Sequence, residues 1–178
     1  EAVDSTVEQI NAAVQAVLNV LQDTDATGVA ITGVSGIASK STKNSTKEGR
    51  NSRIEETLDN DPQSYYHSDY STSELVAKDR NLFYDLGESK DLFAISCLPR
   101  QYTSPINGDL FHVEVYAGES EEEMTCVGTY AFDHAVDGNE AYFSNETRDL
   151  YRNMYFTPVH ARYVNLVIKA TGGKSQPV

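Results

Sequence analysis

Residues 111 to 116 read Phe-His-Val-Glu-Val-Tyr, and apolar and polar side chains alternate along this stretch. Successive side chains of a β-strand point to opposite faces, so the alternation places Phe111, Val113 and Val115 on one face. It leaves His112 on a solvent-facing side. Four further runs of β-like composition are separated by turn residues: Leu92–Cys97, Thr125–Phe132, Asn153–Phe156 and Arg162–Ile168. Many short strands with no helix among them predict an all-β fold, an antiparallel β-sandwich.

A helical pattern precedes these strands. Residues 5 to 22 carry six apolar side chains at helical spacing, namely Val7, Ile10, Val14, Val17, Leu18 and Leu21. This predicts one N-terminal amphipathic helix, either a stem docked on the sandwich or the tail of an upstream module. The pattern changes after residues 25 to 28, so we expect a helical stem or linker over residues 1 to 27 and a β-sandwich module over residues 28 to 178.

The chain is acidic: 27 of its 178 residues are Asp or Glu and 14 are Lys or Arg, for a formal net charge of −13. Such a charge repels phosphate backbones and anionic lipid surfaces, so we expect neither nucleic acid nor a membrane as a partner. No window holds 18 consecutive apolar residues, and the N-terminus lacks a signal-peptide pattern. We interpret the chain as a module of a longer protein.

The basic residues cluster in a Ser/Thr/Asn-rich stretch over residues 39 to 53. This stretch has no aromatic interleaving, which predicts a long solvated loop rather than an anion-binding patch. The cluster consists of Lys40, Lys43, Lys47, Arg50 and Arg53. We expect the acidic run over residues 119 to 123 to form the tip of a hairpin.

The sequence carries no recognisable pattern for catalysis or zinc binding. A Gly-x-Ser-x-Gly segment is missing, and the histidines at positions 67, 112, 134 and 160 are too scattered for a zinc site. No two carboxylates stand out as a pair for glycoside hydrolysis. Cys97 and Cys126 lie in apolar strand contexts, which favours buried thiols over a disulfide without excluding one. We therefore expect a protein that is not an enzyme.

Two polar stretches offer the groups that a sugar needs. Residues 97 to 108 read Cys-Leu-Pro-Arg-Gln-Tyr-Thr-Ser-Pro-Ile-Asn-Gly and hold Arg100, Asn107 and two prolines. Residues 65 to 70 read Tyr-Tyr-His-Ser-Asp-Tyr and place His67 among aromatic rings, either as a core histidine or as part of a ligand site. One face of a pyranose stacks on an aromatic ring, and its hydroxyls bind the planar groups of Arg and Asn.

A third stretch, residues 58 to 64, packs two carboxylates, an amide and a hydroxyl into one turn. Such oxygens suit a hard cation that takes six to eight oxygen ligands, including backbone carbonyls. The stretch lacks the glycine and the closing glutamate of an EF-hand loop. Taken alone it is therefore interpreted more simply as an Asx turn.

Together these residues resemble the family-32 carbohydrate-binding modules of the discoidin superfamily. The similarity covers residues 30 to 170, and its most specific part is Leu98-Pro99-Arg100-Gln101 followed by Asn107-Gly108. The other matching segments are, in order, Ile37–Ser39, Leu58–Asp61 with Ser64, Tyr66–Ser68, Tyr84–Gly87, Val113–Tyr116 and Phe156–Val164.

The resemblance implies a jelly-roll-like β-sandwich, similar to galactose-binding domains, with a shallow site on loops at one end. In such modules the counterparts of His67, Arg100 and Asn107 bind sugar hydroxyls, and the counterpart of Tyr70 stacks on the ring. The implied ligand is a glycan that ends in a galactose-type sugar or an N-acetylhexosamine, of the GalNAc or GlcNAc type. The family also implies a structural calcium ion, here held by Asp59, Asp61 and Ser64.

The sequence departs from the family pattern in three places. Tyr66 and Tyr70 stand where Trp is common, which shrinks the stacking surface. The chain stops soon after residues 172 to 174, without the segment that normally gives calcium a further carboxylate. Residues 133 to 152 form a polar insertion, which we interpret as surface decoration rather than as a lid.

The sequence thus predicts a non-catalytic module that tethers a secreted bacterial glycan-degrading enzyme, with its other modules, to host or mucosal glycans outside the cell. The alternative is a discoidin-like adhesion domain that binds protein or lipid through exposed apolar side chains at its loop tips. The excess of acidic over basic residues argues against binding to anionic lipid.

Overall fold

The computed structural model describes residues 30–47, 52–72, 79–100, 108–132 and 151–171. The described residues from Thr32 onwards belong to one compact unit. The expected N-terminal helix, most of the polar insertion and Asn107 lie outside the described residues. The expected boundary between residues 27 and 28 lies outside them too and stays a prediction.

In the described residues, five strands form one antiparallel sheet. The elements are β1 (Ser35–Gly36), a 3-10 helix (Ile54–Thr57), β2 (Arg80–Cys97), β3 (Leu110–Gly118), β4 (Thr125–Ala131) and β5 (Arg152–Thr171). The strand order is β1-β2-β5-β3-β4, and each neighbouring pair is antiparallel. The predicted all-β class is confirmed, and the two runs expected at residues 153–156 and 162–168 are parts of the single strand β5.

The core lies on one face of β3 and β5. Val113 and Val115 are fully buried, and so are Met154 and Ala161 of β5. Burying a Val or Met side chain contributes about 1.5–3 kcal/mol relative to leaving it exposed. Phe111 departs from the expected alternation and is only half-buried, because the register between β3 and β5 shifts on both sides of His112.

The segment before β2 is attached to the first residues of that strand. Backbone N–H groups of Ile37 and Thr42 donate to carbonyls of Phe83 and Asn81, both at 2.8 Å. The 3-10 helix packs against β1 so closely that a Cβ atom on Gly36 would lie 2.5 Å from Ile54 Cγ2. The long loop predicted over residues 39 to 53 is therefore fixed to the sheet where the structure describes it.

The acidic run 119–123 connects β3 to β4, which confirms the predicted hairpin tip. Both cysteines are free thiols, so the disulfide alternative is wrong. Burial raises the pKa of Cys97 to about 11. Cys126 is exposed on the outer strand β4, contrary to the expected burial, because an apolar strand context does not tell which face is covered. No helix in the described part of the chain has the length and apolar character to cross a membrane.

Candidate functional site

The segment that carries His67 is held by backbone hydrogen bonds on two sides. The N–H of His67 donates to the carbonyl of Ser52 at 3.2 Å, and its carbonyl accepts from the N–H of Ser45 at 2.7 Å. A further bond runs from the N–H of Asp69 to the carbonyl of Lys43 at 2.8 Å. With its side chain nearly buried, His67 has a backbone position that its neighbours determine.

Side chains beneath this segment anchor it to the start of β2. Arg80 Nε donates to Ser68 Oγ at 3.0 Å, and both residues are buried. The hydroxyl of Tyr66 donates to the carbonyl of Thr42 at 2.8 Å, and burial raises the pKa of that hydroxyl. Tyr66 therefore fixes the loop from below, while Tyr65 and Tyr70 remain partly exposed.

Three rings lie in a row along this segment. The His67 and Tyr70 ring centroids are 5.1 Å apart with an interplanar angle of 54°, and those of Tyr65 and His67 are 6.5 Å apart at 59°. Tilted pairs at these distances are the favoured geometry of aromatic side chains. The structure thus brings together His67 and Tyr70, two of the residues predicted from the sequence.

The hydrogen bonding of His67 assigns its ring nitrogens. Nδ1 lies 2.9 Å from the carbonyl oxygen of Ser68, which only accepts, so Nδ1 carries the hydrogen. In the neutral ring, Nε2 is then a hydrogen-bond acceptor. An acceptor nitrogen beside an aromatic face suits a ligand that presents hydroxyl groups.

Arg100 joins the row through Tyr65. The guanidinium carbon of Arg100 lies 3.9 Å from the centroid of the Tyr65 ring, a stacked cation–π contact that orients the planar fork. Pro99, next to it, is buried. The sequence did not single out Tyr65, although the run of tyrosines around His67 was a signal. Asn107 lies outside the described residues, and Gly108 after it has φ +88, a left-handed turn conformation that suits glycine.

The predicted metal-binding turn is well ordered by its own hydrogen bonds. Asp59 Oδ1 accepts from the N–H of Asp61 and from Ser64 Oγ, both at 2.9 Å, and Asn60 between the two acids has φ +59. These bonds, first that of the Asp61 N–H, lower the pKa of Asp59. The expected Asx turn is therefore present.

The same turn crowds oxygen atoms around one hydroxyl. Ser64 Oγ lies 2.9 Å from the Glu56 carbonyl oxygen, 2.9 Å from Asp59 Oδ1 and 3.0 Å from the Asp61 carbonyl oxygen. One hydroxyl hydrogen cannot serve three acceptors fully, and all three separations are ordinary O–H···O hydrogen-bond distances. No group of three His, Cys, Asp or Glu side chains suited to a metal occurs among the described residues, so a cation here would depend on carbonyl and hydroxyl oxygens as well.

Two lysines of the basic cluster lie beside the ring row. Lys47 is exposed, and its Nζ is 5.5 Å from the centroid of the Tyr70 ring. Lys43 Nζ lies 3.6 Å from Asp69 Oδ2. The predicted solvated loop is thus exposed at these two lysines, yet it borders the candidate site.

The chain resembles several solved structures. No protein-family model and no curated protein sequence matches it. A module of Clostridium perfringens, CpGH89CBM32-5, in complex with GalNAc-β-1,3-galactose, has a TM-score of 0.61 at 16% identity over 79% of this chain and 86% of that one. The family-32 module of C. perfringens NanJ, in complex with galactose, has a TM-score of 0.57 at 17% identity over 79% of this chain and 85% of that one. The C-terminal domain of a chitobiase from Bacteroides fragilis has a TM-score of 0.62 at 18% identity over 84% of this chain and 90% of that one.

These similarities span most of each chain at low identity, so they bear on the fold. The antiparallel sheet and the loop segment before β2 agree with the architecture expected from the sequence. The chain therefore has the galactose-binding-like β-sandwich fold of family-32 carbohydrate-binding modules.

Proposed function

We propose that this chain is a non-catalytic carbohydrate-binding module that recognises a terminal galactose-type sugar or an N-acetylhexosamine. The observation that carries the proposal is the row formed by Tyr70, His67 and Tyr65 with Arg100 stacked at its end. This row combines apolar ring faces with a hydrogen-bonding ring nitrogen and a charged planar donor. Two modules of the same fold, in complex with galactose and with GalNAc-β-1,3-galactose, support this class of ligand.

Each part of the row has a role in sugar binding. The C–H face of a pyranose stacks on Tyr70, and His67 Nε2 accepts a hydrogen bond from a hydroxyl. Arg100 donates to ring substituents with two parallel N–H groups, and we assign Asn107 the complementary amide contacts. One sugar in a shallow open site binds weakly, with Kd on the order of 0.1–1 mM, or about −4 to −5.5 kcal/mol.

We assign calcium a structural role in the turn at residues 56 to 64. Asp59 and Ser64 side chains, with the carbonyls of Glu56 and Asp61, are the oxygens that would hold the ion. Bound calcium would supply positive charge that offsets the repulsion between the oxygen atoms around Ser64 Oγ. The chain leads directly from this turn to Tyr65 and His67, so an ordered turn limits their movement.

The biological setting that fits is outside the cell, as one module of a glycan-degrading enzyme. Weak binding by a single module becomes useful adhesion when several modules on one chain engage a glycan surface together. Solved neighbours of this fold include a domain of a chitobiase, which supports this setting.

Isothermal titration calorimetry on the chain with galactose, GalNAc and GlcNAc tests the function. We expect at least one sugar to bind with a Kd on the order of 0.1–1 mM. Arg100→Ala should weaken that binding by about 1–3 kcal/mol, because neighbouring polar groups lose their partner. Arg53→Ala is the matched control, since it removes an exposed guanidinium whose Nε lies 4.0 Å from Glu55 Oε2. If Arg100→Ala binds the sugar at wild-type strength, the assignment is contradicted. If the chain sediments with anionic liposomes and binds no sugar, the adhesion-domain alternative is supported.

A further inference from the structure

Lys47 is coupled to the same backbone pairing that fixes His67. Its N–H donates to Ser45 Oγ at 3.1 Å, and the N–H of the buried Ser45 donates to the carbonyl of His67 at 2.7 Å. The Lys47 ammonium lies 5.5 Å from the centroid of Tyr70, within the range of a cation–π contact. An exposed lysine is therefore located beside the ring on which we place the sugar.

The acidic side chain that precedes Tyr70 in the sequence is already engaged. Asp69 Oδ1 accepts from the N–H of Ser71 at 2.9 Å, and Oδ2 lies 3.6 Å from Lys43 Nζ. The N–H of Ser71 is the main cause that lowers the pKa of Asp69, with a smaller contribution from Lys43. Asp69 is thus paired with Lys43, while the Lys47 ammonium lies over the Tyr70 ring.

A second cation lies at the other end of the row. Arg100 stacks on Tyr65, so the three rings are bordered by an ammonium on one side and a guanidinium on the other. The chain as a whole has a net charge of −13. At physiological ionic strength, charges farther away than about 8 Å are largely screened, so the distant acidic residues act weakly on a ligand held between these two cations.

We propose that this site favours a sugar with an anionic substituent, a carboxylate or a sulfate, over its neutral parent, and that Lys47 determines this preference. The inference rests on the proposed sugar-binding function. Lys47 attracts an anionic substituent but offers little to a neutral hydroxyl that water does not. An exposed ion pair of this kind changes an equilibrium constant about two- to fivefold, and Arg100 adds to the effect.

The test compares matched ligands by NMR titration of the chain: galactose, galacturonic acid and galactose 6-sulfate, at physiological salt. We expect one or both anionic sugars to bind at least about threefold more tightly than galactose. The carboxylate and sulfate arms distinguish the two anion types. Lys47→Gln should reduce the ratio of anionic to neutral affinity towards one, and Lys47→Arg should retain it. Lys90→Gln removes the same charge beside Glu88 in β2 and should leave the ratio as it is.

The outcomes separate the two proposals. Galactose binding with no preference for either anion, or a preference that survives Lys47→Gln, overturns the inference and leaves the proposed function in place. No binding of any neutral or anionic sugar overturns both. A ratio that increases when salt is lowered, and that Lys47→Gln reduces, supports the inference.

Discussion

Arg152 and Asp109 form a buried ion pair, with Arg152 Nη2 donating to Asp109 Oδ2 at 2.8 Å and both side chains less than a tenth exposed. Arg152 opens β5 and lies opposite Cys97, the last residue of β2. Asp109 comes two residues after Asn107, just before β3. The pair therefore joins the two ends of the loop that carries Arg100 and Asn107.

Asp109→Ala should strongly destabilise the fold. It leaves the Arg152 guanidinium buried without its carboxylate, which costs about 3–5 kcal/mol. Urea unfolding followed by tyrosine fluorescence measures the loss. Asp79→Ala is the control, because it removes an exposed pair with Lys169 that contributes about 1 kcal/mol or less. Equal losses in the two variants would contradict a structural role for the buried pair.

Tyr65 should affect sugar affinity through Arg100. Tyr65→Leu removes the ring beneath the guanidinium, and we expect affinity to fall about two- to fivefold, the equivalent of 0.5–1 kcal/mol for an exposed cation–π contact. Tyr65→Phe keeps the ring and should retain most of the affinity. Titration calorimetry measures both variants after thermal unfolding has shown them to be folded. Equal affinities of the Leu and Phe variants would exclude this positioning role.

The sequence predicted strand positions that depend on a local pattern of side chains. It did not predict features that depend on tertiary packing, such as the continuity of β5. Alternation identified Val113 and Val115 as core residues because it depends only on neighbours in sequence. The single strand β5 was not predicted, since Pro158 interrupts its run and proline is unfavourable inside a sheet. The register shift at Leu92/Ala94 in β2 accommodates it, because residues 156–158 lie between the paired positions Tyr155 and Val159.

The candidate site likewise contains one contact that was expected from the sequence and others that depend on the tertiary fold. His67 and Tyr70 are three residues apart, and the resemblance to family-32 modules placed both in one site, where their rings are in contact. The stacking of Arg100 on Tyr65 joins residues 35 positions apart and depends on the tertiary fold. The position of Lys47 beside Tyr70 likewise depends on hydrogen bonds between its segment and the segment that carries His67. The Ser/Thr/Asn-rich composition of residues 39 to 53 did not indicate this pairing.

Asp85 and Arg162 should make stability depend on acid pH. The two side chains form a bidentate pair with both N–O distances at 2.9 Å, and Arg162 is the main cause that lowers the pKa of Asp85. A lowered folded-state pKa contributes stability that is complete above the unfolded value of about 3.9 and is lost as pH falls through the folded value. Urea midpoints of wild type and Asp85→Asn should therefore converge below about pH 4. A constant difference from neutral to acid pH would rule out this source.

Calcium should stabilise the chain through the turn at residues 56 to 64. An ion that binds only the folded state at about 100 times its Kd adds about 2.7 kcal/mol, which raises the melting temperature of a domain this size by about 5–10 °C. We expect Asp59→Asn to abolish that rise, because it replaces the carboxylate that contacts Ser64. Asp91→Asn, an exposed acid paired with His160, should keep it. Thermal unfolding in EDTA and in millimolar calcium measures the shift. The same melting temperature in both conditions would mean that the Asx hydrogen bonds alone hold the turn.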